Sequence, residues 1–137
     1  MKIEFLDNHK YIGEEYDWAA LDKDGNIGYF STAGCGPIPH ICENEAYFEN
    51  LFEDIKALKK TCEATPEETR ANANLSDWLL ISERGLYAYD WSQKNKRYEL
   101  IYSPKAPPKL TEIPNHKQIK QIILNTSFKT SKHIYIF

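Results

Sequence analysis

The segment from Trp18 to Ser31 constrains the fold of this chain most strongly. Two short apolar and aromatic runs, Trp18–Leu21 and Ile27–Ser31, flank the polar stretch Asp22-Lys23-Asp24-Gly25-Asn26. An Asp-Gly pair tolerates the positive φ angles that tight hairpin turns require. The segment therefore predicts two antiparallel strands joined by a tight turn, and any fold of this chain has to accommodate that hairpin.

Other segments also have the composition and alternation of strands. Three of them are separated only by the short turns 83–85 and 92–96, which predicts an antiparallel meander. The predicted strands outside the hairpin are Met1–Asp7, Leu75–Ser82, Leu86–Trp91, Arg97–Ser103 and His133–Phe137, the last being either a terminal strand or a strapped tail.

Two segments have helical periodicity. Apolar residues between Asn44 and Lys60 recur at spacings of one, three and four, which predicts a helix with one buried stripe and Asn44 as its N-cap. A shorter helix is predicted over Asn115–Leu124, and the polar stretch 61–74 is predicted to be a surface connection. We therefore expect an α+β fold in one domain over residues 1–137, with a mixed, mainly antiparallel sheet of roughly five to six strands and two main helices packed on it.

The composition favours a stable core without covalent cross-links. Apolar residues make up 42% of the 137 residues, and nine Tyr, six Phe and three Trp contribute large rings. The odd number of cysteines, three, argues against a disulfide framework. Neither a secretory signal nor a run of about 18 apolar residues is found, so we expect a cytoplasmic protein that does not contact a membrane.

The net charge of −3 is unevenly distributed. Residues 1–70 carry fifteen acidic and seven basic side chains, whereas residues 71–137 carry five and ten. This asymmetry predicts oppositely charged surfaces if folding does not interleave the two halves. The acidic total disfavours a nucleic-acid partner, because such proteins usually present a basic surface.

The sequence offers no strong metal or cofactor motif. If Gly25 took the sharp-turn position of a calcium loop, the loop would lack its first carboxylate and its bidentate Glu. Cys35, His40, Cys42 and Cys62 do not have the paired short spacings of structural zinc sites. We therefore expect no metal and no cofactor, with small buried thiols and an exposed imidazole as the simplest interpretation.

The loop Thr32–Pro39 supports an alternative function. It contains two Gly and two Pro, and Cys35 lies between the glycines with His40 close in sequence. A thiol nucleophile would also need an oriented base and an oxyanion hole, and no established catalytic motif is present. We expect a non-enzymatic protein, and keep a small-molecule-binding or hydrolytic domain that uses Thr32–Pro39 as the alternative.

Acidic side chains supply the first candidate binding surface. Glu45, Glu49 and Glu53 repeat every four residues and would lie on one helix face. Acids early in a helix also suit its dipole, which explains the pattern without a partner. Together with the second acidic group, Glu14, Glu15 and Asp17, they form a hypothetical acidic docking surface.

Aromatic side chains supply the second candidate surface. Tyr87, Tyr89 and Trp91 alternate along one predicted strand and therefore share one face of it. Such residues are frequent among interface hot spots, so the row could form a flat recognition surface. The alternative is a sheet face that the rest of the chain covers.

The segment Trp18–Pro39 resembles a pattern found in small bacterial proteins. It fits W-x-x-x-D-x-D-G-x-[IV]-G-x-F-x-T-A-G-x-G-x-[IV]-P over 22 residues, and Leu110–Pro114 is a fainter second point of similarity. Proteins with this pattern look like immunity proteins of polymorphic toxin systems. The resemblance implies an interaction protein that neutralises a cognate toxin by binding it. We expect the chain itself to be a monomer or a weak homodimer. An acidic inhibitor would suit a basic toxin, because complementary charge speeds their encounter.

Overall fold

The computed structural model describes residues 3–67, 74–108 and 110–136. In these ranges the chain forms eight strands, four short α-helices and one 3₁₀ turn, Leu110–Glu112. The strands are β1 (Phe5–Leu6), β2 (Asp17–Leu21), β3 (Ile27–Ser31), β4 (Ile38–Pro39), β5 (Ala64–Pro66), β6 (Tyr87–Ser92), β7 (Arg97–Pro104) and β8 (His133–Ile134). The helices are α1 (His40–Asn44), α2 (Leu51–Lys56), α3 (Ser76–Ser82) and α4 (His116–Ile119).

Six of the strands form one sheet in the order β2-β3-β6-β7, with β5 and β8 both pairing with the far side of β7. All these pairings are antiparallel except β3 with β6. β1 and β4 form a separate antiparallel pair. This architecture confirms the expected α+β class with a mainly antiparallel sheet.

The predicted hairpin is present as β2 and β3. Trp18 pairs with Phe30 and Leu21 with Ile27. The carboxylate of buried Asp22 accepts hydrogen bonds from the backbone N–H groups of Asp24 (2.9 Å) and Asn26 (2.8 Å), and Gly25 adopts φ +86°. The Asp-Gly signal therefore acts as expected, with Asp22 closing the turn.

Different parts of the chain cover the two faces of the sheet. On the first face, the Phe30 ring stacks on Trp18 and Tyr89, with centroid distances of 4.1 and 5.0 Å. Phe128, from the C-terminal segment, packs against the same group. On the second face, Tyr29 lies beneath α2 and α3. We call these the aromatic face and the helical face.

The segment 75–82 is helical, so the predicted strand there is wrong. Trp78-Leu79-Leu80-Ile81 is a short apolar run, and such a run does not distinguish a buried strand from a helix by periodicity. Tertiary contacts with β6 and β7 settle the choice. At the helix end, the Arg84 guanidinium donates a hydrogen bond to the Leu80 carbonyl at 3.2 Å. The meander consequently has two strands rather than three.

The long helix predicted from Asn44 to Lys60 is also wrong. Asn44 ends α1 instead of capping a helix, and α2 covers only Leu51–Lys56. Between them Ala46 and Phe48 adopt φ angles of +53° and +68°, which interrupts the helical hydrogen-bond ladder. Tertiary packing of this turn overrides the apolar spacing.

Smaller differences occur elsewhere. The first strand is limited to Phe5–Leu6, and the last predicted helix is reduced to His116–Ile119. The polar connection contains the unpredicted strand β5, which pairs with the end of β7. The structure has a terminal strand at His133–Ile134. No helix within the described ranges is long and apolar enough to cross a bilayer.

Candidate functional site

The two acidic groups meet at a cleft on the helical face of the sheet. This cleft, of about 580 Å³, lies between the sheet, α2, α3 and the turn before α2. Its lining includes six carboxylates, and no lysine, arginine or histidine is found among the described residues that line it. We call it the acidic cleft. Its carboxylates belong to Glu15, Asp17, Glu49, Glu53, Asp77 and Asp90.

The floor of the acidic cleft is a polar row across three strands. Asp17 of β2 is in register with Ser31 of β3, which is in register with Asp90 of β6. Residues in register project to the same face of a sheet. The Tyr29 hydroxyl donates a hydrogen bond to the Asp17 carboxylate from the neighbouring position on β3. The strand pairing therefore fixes these groups independently of the helices.

The carboxyl group of Asp17 has a perturbed pKa. Burial raises its pKa from 3.8 to about 6, and the negative charges of Glu15 and Asp90 act in the same direction. Hydrogen bonds from Tyr29 and Ser31 oppose that rise. At neutral pH the group is ionised in surroundings that solvate its charge poorly. A cation brought to this position would stabilise the charge.

The helices place further carboxylates at the rim. Glu53 and Asp77 lie in the first turns of α2 and α3, where the helix dipole favours negative charge. Burial raises the pKa of Tyr29 well above its usual value, and the charges of Asp17, Asp77 and Glu53 raise it further. The electrostatic fields of all three acids therefore reach the cleft floor.

Aromatic side chains form part of the cleft wall. Phe48, Phe52 and Trp78 line it beside the carboxylates. The indole Nε1 of Trp78 is buried and has no hydrogen-bond partner among the described residues. Phe48, at φ +68°, and Ala33, at φ +52°, are both lining residues in a conformation that side chains rarely adopt. The wall thus combines aromatic surface with two residues whose backbone conformation is rare.

Four of the six acidic residues proposed from sequence line the cleft: Glu15, Asp17, Glu49 and Glu53. Glu14 and Glu45 are exposed but lie outside its lining. Because the long helix is broken, Glu45, Glu49 and Glu53 do not stack along one helix face. The sequence did not identify Asp77 and Asp90 as candidates. Asp77 lies in the segment that was predicted to be a strand, and the place of Asp90 in the cleft depends on the register between β3 and β6.

The aromatic row does not form an exposed surface. Tyr87, Tyr89 and Trp91 are 6%, 0% and 7% exposed, so the flat recognition surface considered for them is absent from the folded chain. Phe128 packs on the rings of Tyr87 and Tyr89 at centroid distances of 5.9 and 5.6 Å. The Tyr89 hydroxyl donates to the Ser131 carbonyl at 2.6 Å. The covered-face alternative describes this row: the C-terminal segment covers Tyr87 and Tyr89, and the Trp91 ring packs against Tyr98 at a centroid distance of 5.0 Å.

Hydrogen bonds from side chains elsewhere in the chain to its backbone carbonyls hold the loop Thr32–Pro39 in place. Its carbonyls accept hydrogen bonds from the side chains of His9, which reaches Gly36 at 2.9 Å, and Tyr98, which reaches Pro37 at 2.7 Å. A Cβ on Gly36 would lie 2.8 Å from the Tyr98 hydroxyl, which explains the need for glycine there. These contacts give the glycine-rich sequence a structural role.

The cysteines and His40 have different surroundings in the described part of the chain. Burial raises the pKa of Cys42 to about 12, which keeps its thiol protonated. Cys35 is half-buried and lies outside the acidic cleft, while the His40 imidazole lies 3.7 Å from Glu4. Within the described ranges no three His, Cys, Asp or Glu side chains are placed to share a metal ion.

A second, smaller groove of about 210 Å³ borders the aromatic face. Lys105, Lys129 and Lys132 line it, together with Glu67, which lies 3.7 Å from the Lys132 ammonium group. The acidic cleft and this basic groove are therefore two regions of opposite charge, and each is lined by residues from both halves of the sequence.

Comparisons with protein-family models, with curated proteins and with solved structures each found no match to this chain.

Proposed function

We propose that this chain is a non-enzymatic interaction protein that binds and neutralises a basic toxin protein, with the acidic cleft at the centre of its contact surface. The observation that carries this proposal is the convergence of carboxylates from β2, α2, α3 and β6 on one concave site. The resemblance of Trp18–Pro39 to immunity proteins supports the same function, and we propose that the protein acts in the cytoplasm.

The physical basis of the proposal is complementary charge. An acidic patch attracts a basic partner over several ångströms, raises the association rate and disfavours acidic competitors. A stable protein interface buries about 800 Å² on each partner, so the exposed surface around the cleft would also take part. Glu14 and Glu45 are exposed and could contribute at its edge.

The experiment is a growth assay with the product of a neighbouring gene. Each candidate toxin is expressed with and without this chain, and the pair is then purified together. We expect growth to be rescued and a one-to-one complex to be recovered. If neighbouring products are harmless, or if toxicity persists despite soluble expression of this chain, the proposed function is wrong.

Matched charge variants locate the contact surface. Glu49→Gln with Glu53→Gln removes two exposed charges from the cleft, whereas Asp24→Asn with Glu112→Gln removes two exposed charges outside its lining. We expect the first pair to weaken rescue and the second to preserve it. Equal rescue by both pairs would place the contact elsewhere.

A further inference from the structure

We infer that the acidic cleft receives the side chain of a lysine or arginine from the partner, and that Asp17 on the cleft floor is the residue that holds its charge. This inference rests on the proposed function and specifies the chemistry of the partner.

The dimensions of the cleft fit such an occupant. Its volume of about 580 Å³ lies within the range of sites that enclose small organic ligands. A long basic side chain can therefore enter together with part of its own backbone. The floor lies on the sheet and the rim on two helices, so a flexible aliphatic stem can cross the wall before its charged end reaches Asp17.

The charge distribution favours a cation at the floor. Tyr29 and Ser31 donate hydrogen bonds to Asp17, and the surrounding acids add negative charge. A lysine or arginine head group would supply the charge compensation that burial denies this carboxylate. Because one member of such a pair is already in place on the rigid sheet, little reorganisation is needed on this side.

The wall favours an organic cation over a metal ion. The described carboxylates surround the space without forming a three-ligand cluster. Trp78 and Phe52 offer aromatic surface, which attracts ammonium and guanidinium groups. Both features suit a peptide that carries a basic residue.

The inference makes binding depend on pH. Asp17 is faced by Glu15 just before β2, Tyr29 on β3, Asp90 on β6, and Glu53 and Asp77 on the helices. The cation pairs with ionised Asp17, so its binding expels a proton wherever the free carboxyl is protonated. Affinity should therefore fall as the pH drops through about 6, the pKa of that group.

The experiment titrates the full ¹⁵N-labelled chain with N-acetyl-arginine amide, and uses the neutral analogue N-acetyl-citrulline amide as the control ligand. We expect the arginine compound at pH 7 to shift the amide signals of Ser31 and Tyr29 and the indole signal of Trp78. We expect the citrulline compound to leave them in place. At pH 5 the affinity should be about tenfold lower, because one proton competes with the cation.

Matched variants assign the effect to Asp17. Asp17→Asn should weaken arginine binding at pH 7 at least fivefold and abolish its pH dependence, whereas Asp24→Asn, in the exposed turn, should behave as the unsubstituted chain. If Asp17→Asn fails to fold, Asp77→Asn at the exposed rim replaces it and should weaken binding two- to threefold.

Three results would overturn the inference. They are the absence of shifts at millimolar arginine amide, equal shifts with the citrulline compound, and shifts confined to the basic groove around Lys129. Failure of this titration while a neighbouring toxin is still captured would reject the inference alone. Successful titration without any toxin partner would reject the proposed function alone.

Discussion

Replacing Asp17 by Asn should stabilise the protein at high pH. The native carboxyl has a pKa of about 6, above the 3.8 of an ordinary aspartate. The folded state therefore binds the proton more tightly than the unfolded state does, so this group adds stability as the pH falls from about 7 to 4. Ionised Asp17 consequently destabilises the fold at pH 8, by at most roughly 3 kcal/mol.

The expected difference is smaller than this limit. Asp17 is only half-buried, so water screens part of its charge. We expect Asp17→Asn to be about 1–2 kcal/mol more stable than the unsubstituted chain at pH 8, and nearly equal to it at pH 4. The amide oxygen of Asn can still accept the hydrogen bond from Tyr29, so the substitution removes charge and keeps the geometry.

Urea unfolding at pH 4, 6 and 8, followed by tryptophan fluorescence, measures the difference. Only the difference between variant and unsubstituted chain is attributed to Asp17, because other groups also titrate in this range. Asp24→Asn serves as the control for removal of an exposed aspartate. A variant less stable than the unsubstituted chain at pH 8, or a difference independent of pH, would refute the reasoning.

Three further predictions test the fold around the cleft. Asp22→Ala should lower the free energy of unfolding, measured by urea unfolding, by about 3 kcal/mol or more. The reason is that the Asp22 carboxylate accepts hydrogen bonds from the backbone N–H groups of Asn26 in the turn and of Phe128, both at 2.8 Å. A loss below 1 kcal/mol would contradict this role. Gly28→Ala should cost about 1–3 kcal/mol in the same assay, because its Cβ would lie 2.8 Å from the Phe128 ring; unchanged stability would show that the ring moves freely. Cys42 should resist alkylation by iodoacetamide at pH 8 while half-buried Cys35 reacts, because burial raises the pKa of Cys42 to about 12. Mass spectrometry of the labelled peptides measures both reactions, and equal labelling would contradict the burial of Cys42.

The sequence predicts those parts of the fold that local signals determine. The β2–β3 hairpin follows from the turn chemistry of Asp22 and Gly25, and the alternation in β6 and β7 follows from their buried aromatic faces. By contrast, Trp78–Ile81 is apolar on every position, so local periodicity does not separate strand from helix. Residue type does not predict the positive φ angles of Ala46 and Phe48 either, because alanine and phenylalanine normally avoid that conformation.

The candidate site could be predicted only in part, because its two acidic groups are distant in sequence. The sequence identifies Asp17 and Glu53 as acidic residues, but only the packing of α2 against β2 brings them to one cleft. Asp90 joins them through the parallel pairing of β3 with β6, a register that alternation alone leaves undetermined. The aromatic row of β6 is covered rather than exposed, and Phe128, which covers Tyr87 and Tyr89, is 39 to 41 residues away from them along the chain.

The most direct test of the central claim is the calorimetric affinity of this chain for a toxin that it neutralises, measured at low and physiological salt. We expect a dissociation constant in the nanomolar range or below. The Glu49→Gln, Glu53→Gln pair should raise it about tenfold at low salt, and Asp24→Asn with Glu112→Gln should leave it unchanged. An affinity that is insensitive both to salt and to the loss of these two cleft charges would contradict the proposal that the acidic cleft is where the partner binds.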